Sequence, residues 1–322
     1  MGDPRRRRRR GALAVAAPWA LWAALRAAGA ERGFPLVPAI SFTPYAALSA
    51  VLPLAVARWA RSPAAAAVSV GAGAVLAGAV LVRSRPSAPA APGAGPRVRV
   101  ASVSLRKGLV LPGPVLDLVR RHDVDVLSVQ ELTPEAERAL VADGIGKLLP
   151  EAHVIPARPG TVPSASGAVW TRLPVLARSA TPGTFEQPTV RLAVDGAPDL
   201  EVTAVHTEPP ATSPGAVRRW NSDLAALPAP EDGVLRVLAG DFNATLDHAA
   251  LRTVLRTGYV DAARQVGRAL AWTWRPLRLR FPRLALDHVL LDPRIAVATV
   301  ELVPLEGSDH RALVAHLVLP AR

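Results

Sequence analysis

The residues of this chain able to do chemistry fall into four short polar motifs: Gln130-Glu131, His206, Gly240-Asp241-Phe242-Asn243 and Ser308-Asp309-His310. Three of them follow apolar, β-branched runs, where a strand would deliver a carboxylate or imidazole to a sheet edge. Hard divalent cations prefer carboxylate oxygens, and magnesium needs only one or two from the protein. A carboxylate can orient or deprotonate a water, an amide can bind a phosphoryl oxygen without adding charge, and an imidazole can donate a proton or touch phosphate. Converging from separate strands, such groups can build a metal-dependent phosphodiester-cleaving site.

Each motif alone has a blander reading. A Glu at a strand end is usually a solvated terminus, and a lone His after a strand more often packs. A Gly-Asp-x-Asn segment is often a hairpin turn, although the long apolar lead-in Val234–Ala239 and the intervening Phe242 argue against one. Gly240 is expected to allow a sharp turn. Asp241 and Asn243, two apart on an extended backbone, can share one face. Asp287-His288 adds a further acid–imidazole pair, the usual device for orienting a histidine.

The elements that must position these groups are legible as apolar runs. Strands are expected at 98–103, 125–131, 167–171, 190–194, 200–206, 234–239, 286–291, 296–302 and 311–319, with helices at 116–122, 134–142, 216–227 and 249–255. Strands outnumber helices and many neighbours are hairpin-like. This favours an α/β fold of two packed mixed β-sheets flanked by helices over a doubly wound parallel sheet.

At this point the chain resembles the endonuclease/exonuclease/phosphatase superfamily, the DNase I-like four-layer sandwich. The resemblance covers about residues 97–320. It rests on the ordered set Gln130-Glu131, Ser166-Gly-x-x-x-x-Arg172-x-Pro174, His206, Gly240-Asp-Phe-Asn243, Asp287-His288 and Ser308-Asp-His310. It implies that Glu131 is a Mg2+ (or Mn2+) ligand with Asp309 a second contact, and that Asp241 and Asn243 position the attacking water and the phosphoryl group. It further implies that His310 is the catalytic histidine, that Asp287 orients it, and that His206 is a general acid. One departure stands out: the first strand ends in Ser104, where the family usually has Asn, so Ser104 replaces an amide that helps hold metal or phosphate. The implied activity is hydrolysis of a phosphodiester or phosphoester, in nucleic acid or a lipid headgroup. The alternative that Ser104 keeps open is a weak or inactive member acting as a membrane-tethered binding module.

The first third of the chain has a different character. Residues 1–96 carry twelve Arg against two acids, a net of +10, whereas residues 97–322 carry 26 Lys+Arg against 24 Asp+Glu. The basic excess therefore gives the folded domain little electrostatic case for duplex DNA. After the run Arg5–Arg10 come three apolar stretches, 11–30, 34–57 and 64–82, each near the ~20 residues that span a bilayer. Trp19, Trp22, Tyr45 and Trp59 suit the interface. A signal peptide is the competing reading of the first stretch, but two more follow it. With the N-terminus inside, eight Arg fall on the cytoplasmic side and three outside, so three spans place residues 97–322 beyond the membrane, whereas two would leave them in the cytoplasm. The expectation is a multi-pass cell-membrane protein with a basic cytoplasmic tail at 1–10 and an extracytoplasmic domain. Residues 83–96 form a Pro/Ala/Gly linker. No protein partner is inferable, and the absence of Cys excludes disulfides and thiolate metal sites. The basic, aromatic stretch Trp272–Arg283 is a candidate contact for phosphate backbones or lipid headgroups.

Overall fold

The computed structural model describes residues 3–86 and 95–322. Most of the expected linker therefore lies outside the described residues. Twelve strands follow: β1 (Arg97–Ser104), β2 (Val126–Leu132), β3 (Glu151–Ile155), β4 (Ser166–Thr171), β5 (Val175–Thr181), β6 (Gln187–Leu192), β7 (Leu200–His206), β8 (Leu235–Asp241), β9 (Val260–Asp261), β10 (Asp287–Leu291), β11 (Ala296–Pro304) and β12 (Arg311–Val318). They form two six-stranded sheets, in the orders β11-β12-β1-β2-β4-β3 and β5-β6-β7-β8-β10-β9. Each is mixed: β1 pairs parallel with β2 and β7 parallel with β8, and the other pairs are antiparallel.

Strand alternation explains the layering. In β1, Val98 and Val100 face the opposite sheet, where they meet Val202, Val237 and Val289, while Ala101 and Val103 face outward onto helices. In β8, Val237 and Ala239 point between the sheets and Leu238 points out, toward Trp220 and Leu251. Central strands covered on both faces read as continuous apolar runs, which is why they were visible in sequence. Helices Pro112–Arg121 and Pro134–Ala142 cover the first sheet, and Pro214–Ala225 and Ala249–Arg256 the second. Thr133 and Ser213 cap two of them through their hydroxyls, each ahead of a Pro in the first turn.

Two N-terminal helices, Pro4–Ala28 and Pro63–Ser84, are long and apolar enough to cross a membrane. The first absorbs the basic run Arg5–Arg10 into its opening turns, and the second runs into the start of the expected linker. The middle apolar stretch is not one continuous helix. It breaks into Leu36–Ile40, Thr43–Ser49 and Val51–Trp59, in a segment where Pro35, Pro38, Pro44 and Pro53 each remove a backbone donor. The chain nevertheless doubles back. Arg8 lies 5.4 Å over the Trp59 ring at one end, and Ala12 packs with Ala57, Ala60 and Ala65. Farther along, Ala23, Ala72 and Leu76 pack with Ala46 and Ala47. Small residues at these contacts let the backbones approach closely.

At its other end this bundle is tied to the second sheet's helical layer. Asp247, wholly buried, lies 2.7 Å from Arg26 Nε and 2.8 Å from Arg83 Nη2, the latter an ion pair without directed hydrogen-bond geometry. Val37 packs with Trp220 and Leu251 in the same apolar cluster.

Candidate active site

The site forms where strand ends from both sheets meet. In the second sheet, His206, Asp241 and Asp287 occupy one row across β7, β8 and β10: His206 is in register with Asp241, and Asp241 with Asp287. In the first sheet, Ser104 is in register with Gln130 at the ends of β1 and β2. Ser308–His310 leads into β12, and the Ser308 hydroxyl donates to the Ser104 carbonyl at 2.8 Å while accepting His310 N–H at 3.0 Å.

Gly240 is required for a reason other than the expected turn. It lies inside β8, where a Cβ would meet the Val205 carbonyl oxygen at 1.9 Å. Only glycine lets β7 and β8 approach there. Two site residues adopt left-handed backbone, Glu131 at φ 53° and Asn243 at φ 46°, a conformation that persists only when its surroundings enforce it. For Glu131 the cause is a register shift between β2 and β4 at Val129–Leu132. Such a bulge re-aims a side chain out of the ladder.

Asp241 is held from one side by Asn243. The Asn243 backbone N–H donates to Asp241 Oδ1 at 2.8 Å, and its amide donates to Asp241 Oδ2 at 3.3 Å and to the Thr207 carbonyl at 2.9 Å. Both amide hydrogens are thus committed, so Asn243 as placed positions Asp241 and leaves no donor for a phosphoryl oxygen. His310 faces Asp241 from the other side, Nε2 to Oδ2 at 3.9 Å, while its Nδ1 meets Asp287 Oδ2 at 2.8 Å. Burial works against a charged His310, but the carboxylates of Asp287, Asp241 and Asp309 outweigh it and push it up to about 10. Burial pushes Asp241 up, and the Asp287 charge adds to this. His206 is buried, its ring tilted against that of Phe185 with centroids 4.5 Å apart, and its Nδ1 has no partner. Burial, then the charge of His310, lowers it to about 3, so it is neutral.

Glu131, Asp309, Asp241, Asn243, His206, His310 and Lys107 line one cavity of about 740 Å³. Glu131 accepts the Lys107 backbone N–H, and Asp309 Oδ2 accepts Trp274 Nε1–H at 3.0 Å. Among the described residues neither carboxylate has an ion-pair partner. Burial raises the Glu131 carboxyl, with Asp309 adding to it against His310 and Lys107. Among the described residues Glu131 and Asp309 are the cavity carboxylates with no cationic side chain paired to them, and one or two such oxygens are what a divalent cation needs from a protein. The donor set therefore fits such an ion, with Glu131 and Asp309 the hard oxygen ligands. Asp241, Asp287 and His310 also bring one ligand atom each within 4.8 Å of one another, but His310 Nδ1 and Asp287 Oδ2 are committed to each other. The Ser104 hydroxyl is buried without a partner.

Not every flagged residue reaches the site. Gln130 turns inward: its amide bonds Ser102 and Ser128, and Ser128 donates to the Ala239 carbonyl at 2.8 Å, stitching the sheets together. Arg172 pairs with Asp123 at 2.6 Å, outside the cavity. His288 lies behind the site, 2.7 Å from Asp261 and 2.8 Å from the Ala244 carbonyl, against the Phe242 ring. Its bonds brace the loop that carries Asn243. Sequence reading missed Gln187, whose Oε1 accepts His206 N–H, and the roles of Trp274 and of Thr273, whose hydroxyl accepts the N–H groups of Leu286 and Asp287.

A model of the endonuclease/exonuclease/phosphatase family matches residues 108–310. The chain belongs to that family. Membership and fold support a hydrolase of the phosphoesterase or nuclease type, and the family's members generally use divalent metals. Among solved structures, a humanized D. rerio TDP2 carrying 14 mutations is similar at TM-score 0.54 and 15% identity, over 69% of this chain and 98% of that one. The endonuclease/exonuclease/phosphatase from Beutenbergia cavernae is similar at TM-score 0.51 and 20% identity, over 70% and 72%. D. rerio TDP2 complexed with single strand DNA product gives 0.52 and 15%, over 69% and 98%. No curated protein matches. At these identities the likeness to the structures is one of fold.

Proposed function

We propose that this family member is a membrane-anchored, magnesium- or manganese-dependent phosphodiesterase. The observation that carries it is the convergence of Glu131, Asp309, Asp241, His206 and His310 on one cavity, with Asn243 and Asp287 holding two of them from behind. A divalent cation at Glu131 and Asp309 would neutralise phosphoryl charge and favour attack at phosphorus. Asp241 orients the attacking water and takes its proton. The water oxygen bonds to phosphorus and the P–O bond to the leaving group breaks, giving an alcohol and a phosphomonoester. His310, fixed by Asp287, presents its Nε2–H to the charge developing on the phosphoryl oxygens. His206 gains a proton once anionic substrate enters beside it, and passes that proton to the leaving oxygen.

The membrane part of the reading rests on the two long apolar helices, on the return of residues 43–59 between them, and on the eight-to-three Arg bias. Three crossings with the N-terminus inside put the catalytic domain outside the cytoplasm. The test uses the full chain in nanodiscs, assayed on bis-p-nitrophenyl phosphate with magnesium. Asp241→Ala should abolish the hydrolysis, and equal signal from both proteins removes the proposal. A reporter fused after Arg322 should be active only where exported proteins are, and a cytoplasmic signal contradicts the orientation.

A further inference from the structure

Much of the site's lining is apolar, and part of it comes from the N-terminal helical region. Pro38 and Phe42 line the same cavity as Asp241 and His310, as do Phe185 and Leu284. Lys107 is the only Lys or Arg among its lining residues, a poor electrostatic match to a polynucleotide backbone. A second cavity of about 510 Å³ adjoins it, with Ser41 and Leu284 lining both. Its walls are helix Thr43–Ser49, the end of helix Pro63–Ser84 and residues 269–285, contributing Leu48, Val80, Leu81 and Leu270. The second cavity, mostly apolar in its lining, thus lies between the ends of the long helices and the phosphoryl site.

The segment beside that second cavity is amphipathic. Leu277, Leu279 and Phe281 are exposed at 42%, 58% and 61%, and they alternate with Arg278, Arg280 and Arg283. The segment is fastened to the helices: Tyr45 OH accepts Arg283 N–H at 2.7 Å and donates to the Arg283 carbonyl at 3.1 Å, with the Phe281 ring 6.5 Å away. Exposed apolar side chains between Arg residues suit a headgroup boundary, where guanidinium groups meet lipid phosphate.

Resting on the phosphodiesterase reading of the site, we infer that the substrate is a phosphoester of a membrane lipid. Its phosphate enters among Asp241, His206 and His310, its acyl chains lie in the groove between Leu48, Val80 and Leu284, and the Arg278–Arg283 segment rests at the headgroup level. The hydrolytic step is the one given above, and the groove decides which phosphoester reaches it.

The experiment offers the full chain three substrates: vesicles of phosphatidylcholine doped with phosphatidylglycerol, cardiolipin, phosphatidylinositol or sphingomyelin, bis-p-nitrophenyl phosphate, and a single-stranded oligonucleotide. At least one lipid should be cleaved with kcat/KM tenfold or more above the oligonucleotide. Ala77→Trp and Leu48→Trp, which fill the groove, should lower the ratio of lipid to bis-p-nitrophenyl phosphate turnover at least tenfold. Hydrolysis of the soluble diester without any lipid, or a preference for the oligonucleotide, overturns the lipid assignment and leaves the phosphodiesterase. No hydrolysis of any substrate overturns both. A ratio unmoved by either variant overturns the groove. Independently of turnover and of variant folding, a phosphatidylcholine with a diazirine in its acyl chain should cross-link to Val80, Leu246 or Leu284, the less exposed residues lining the groove, in the wild-type chain. Labelling confined to the outer helix faces also overturns the groove.

Discussion

His310 Nδ1 lies 2.8 Å from Asp287 Oδ2, and the two side chains come from different sheets. The pair therefore exists only when the sandwich is closed, so catalytic competence reports on sheet packing. Asp287→Asn keeps the shape but removes the charge that fixes the imidazole's proton on Nδ1. The expected outcome is a kcat for bis-p-nitrophenyl phosphate lower by ~100-fold or more, with a smaller effect on KM. A loss confined to KM would show that Asp287 serves binding instead.

Glu131 has no ion-pair partner among the described residues and is aimed into the cavity by a backbone that costs energy to hold, about 1–3 kcal/mol for such a conformation. A cation that binds only the folded protein adds roughly 2.7 kcal/mol at a hundred times its Kd. Magnesium should therefore raise the melting temperature of the wild-type chain, and chelation should abolish hydrolysis. In Glu131→Gln the thermal shift should shrink toward zero. A shift of unchanged size would remove Glu131 from the metal site.

The Ser104 hydroxyl is buried and unpartnered, so deleting it breaks no hydrogen bond within the protein. Ser104→Ala should leave stability unchanged or raise it, by up to about 1–3 kcal/mol, because an unpaired buried hydroxyl carries a desolvation cost. If Ser104 supports the metal or the phosphate, the magnesium concentration for half-maximal activity rises by about 10-fold. Unchanged magnesium dependence would identify the hydroxyl as a bystander.

The strands that carry the site were legible because those buried on both faces are mostly apolar and lead into a charged residue, Glu131 in β2 and Asp241 in β8. Edge strand β5 was not: Leu176–Ala180 are all exposed, so no alternation marks it, and Val175–Thr181 mixes Arg, Ser and Thr with apolar residues. The two-residue β9 is too short for periodicity to register. The chemistry of Asp241 and His310 could be named from motifs, but not the commitment of both Asn243 amide hydrogens, which depends on the Thr207 carbonyl just past the end of β7. Asp247 and His248 lie four and five residues beyond Asn243, and no motif singles them out. Their partners, Arg26, Arg83 and Val37, are more than 160 positions away, beyond any local pattern.

Asp247 bonds the helical region to the catalytic domain with its side chain wholly buried. Removing its charge leaves two largely buried guanidinium groups without it, a change that costs about 3–5 kcal/mol when a buried pair loses one partner. Asp247→Ala should lower the melting temperature of the full chain and expose the Gly29–Pro38 connection to limited proteolysis. Cleavage kinetics identical to wild type would show that the domain does not depend on this contact.

His248 gives the same junction a pH dependence. Its Nδ1 accepts the Thr245 N–H at 2.9 Å and its Nε2–H faces the Val37 carbonyl at 3.1 Å, so both nitrogens are used in the neutral form. Burial lowers it to about 4 from an ordinary 6.5. A histidine lowered on folding binds its proton more readily when unfolded, so its contribution is complete above pH 6.5. It is lost as pH falls from there toward 4, and amounts to roughly 3 kcal/mol across that window. Gln at this position keeps one acceptor and one donor but does not titrate. The difference in unfolding free energy between wild type and His248→Gln should therefore change between pH 7 and pH 4.5, with wild type losing more. Parallel profiles over that range would mean that protonation of His248 does not govern how the helices hold the domain.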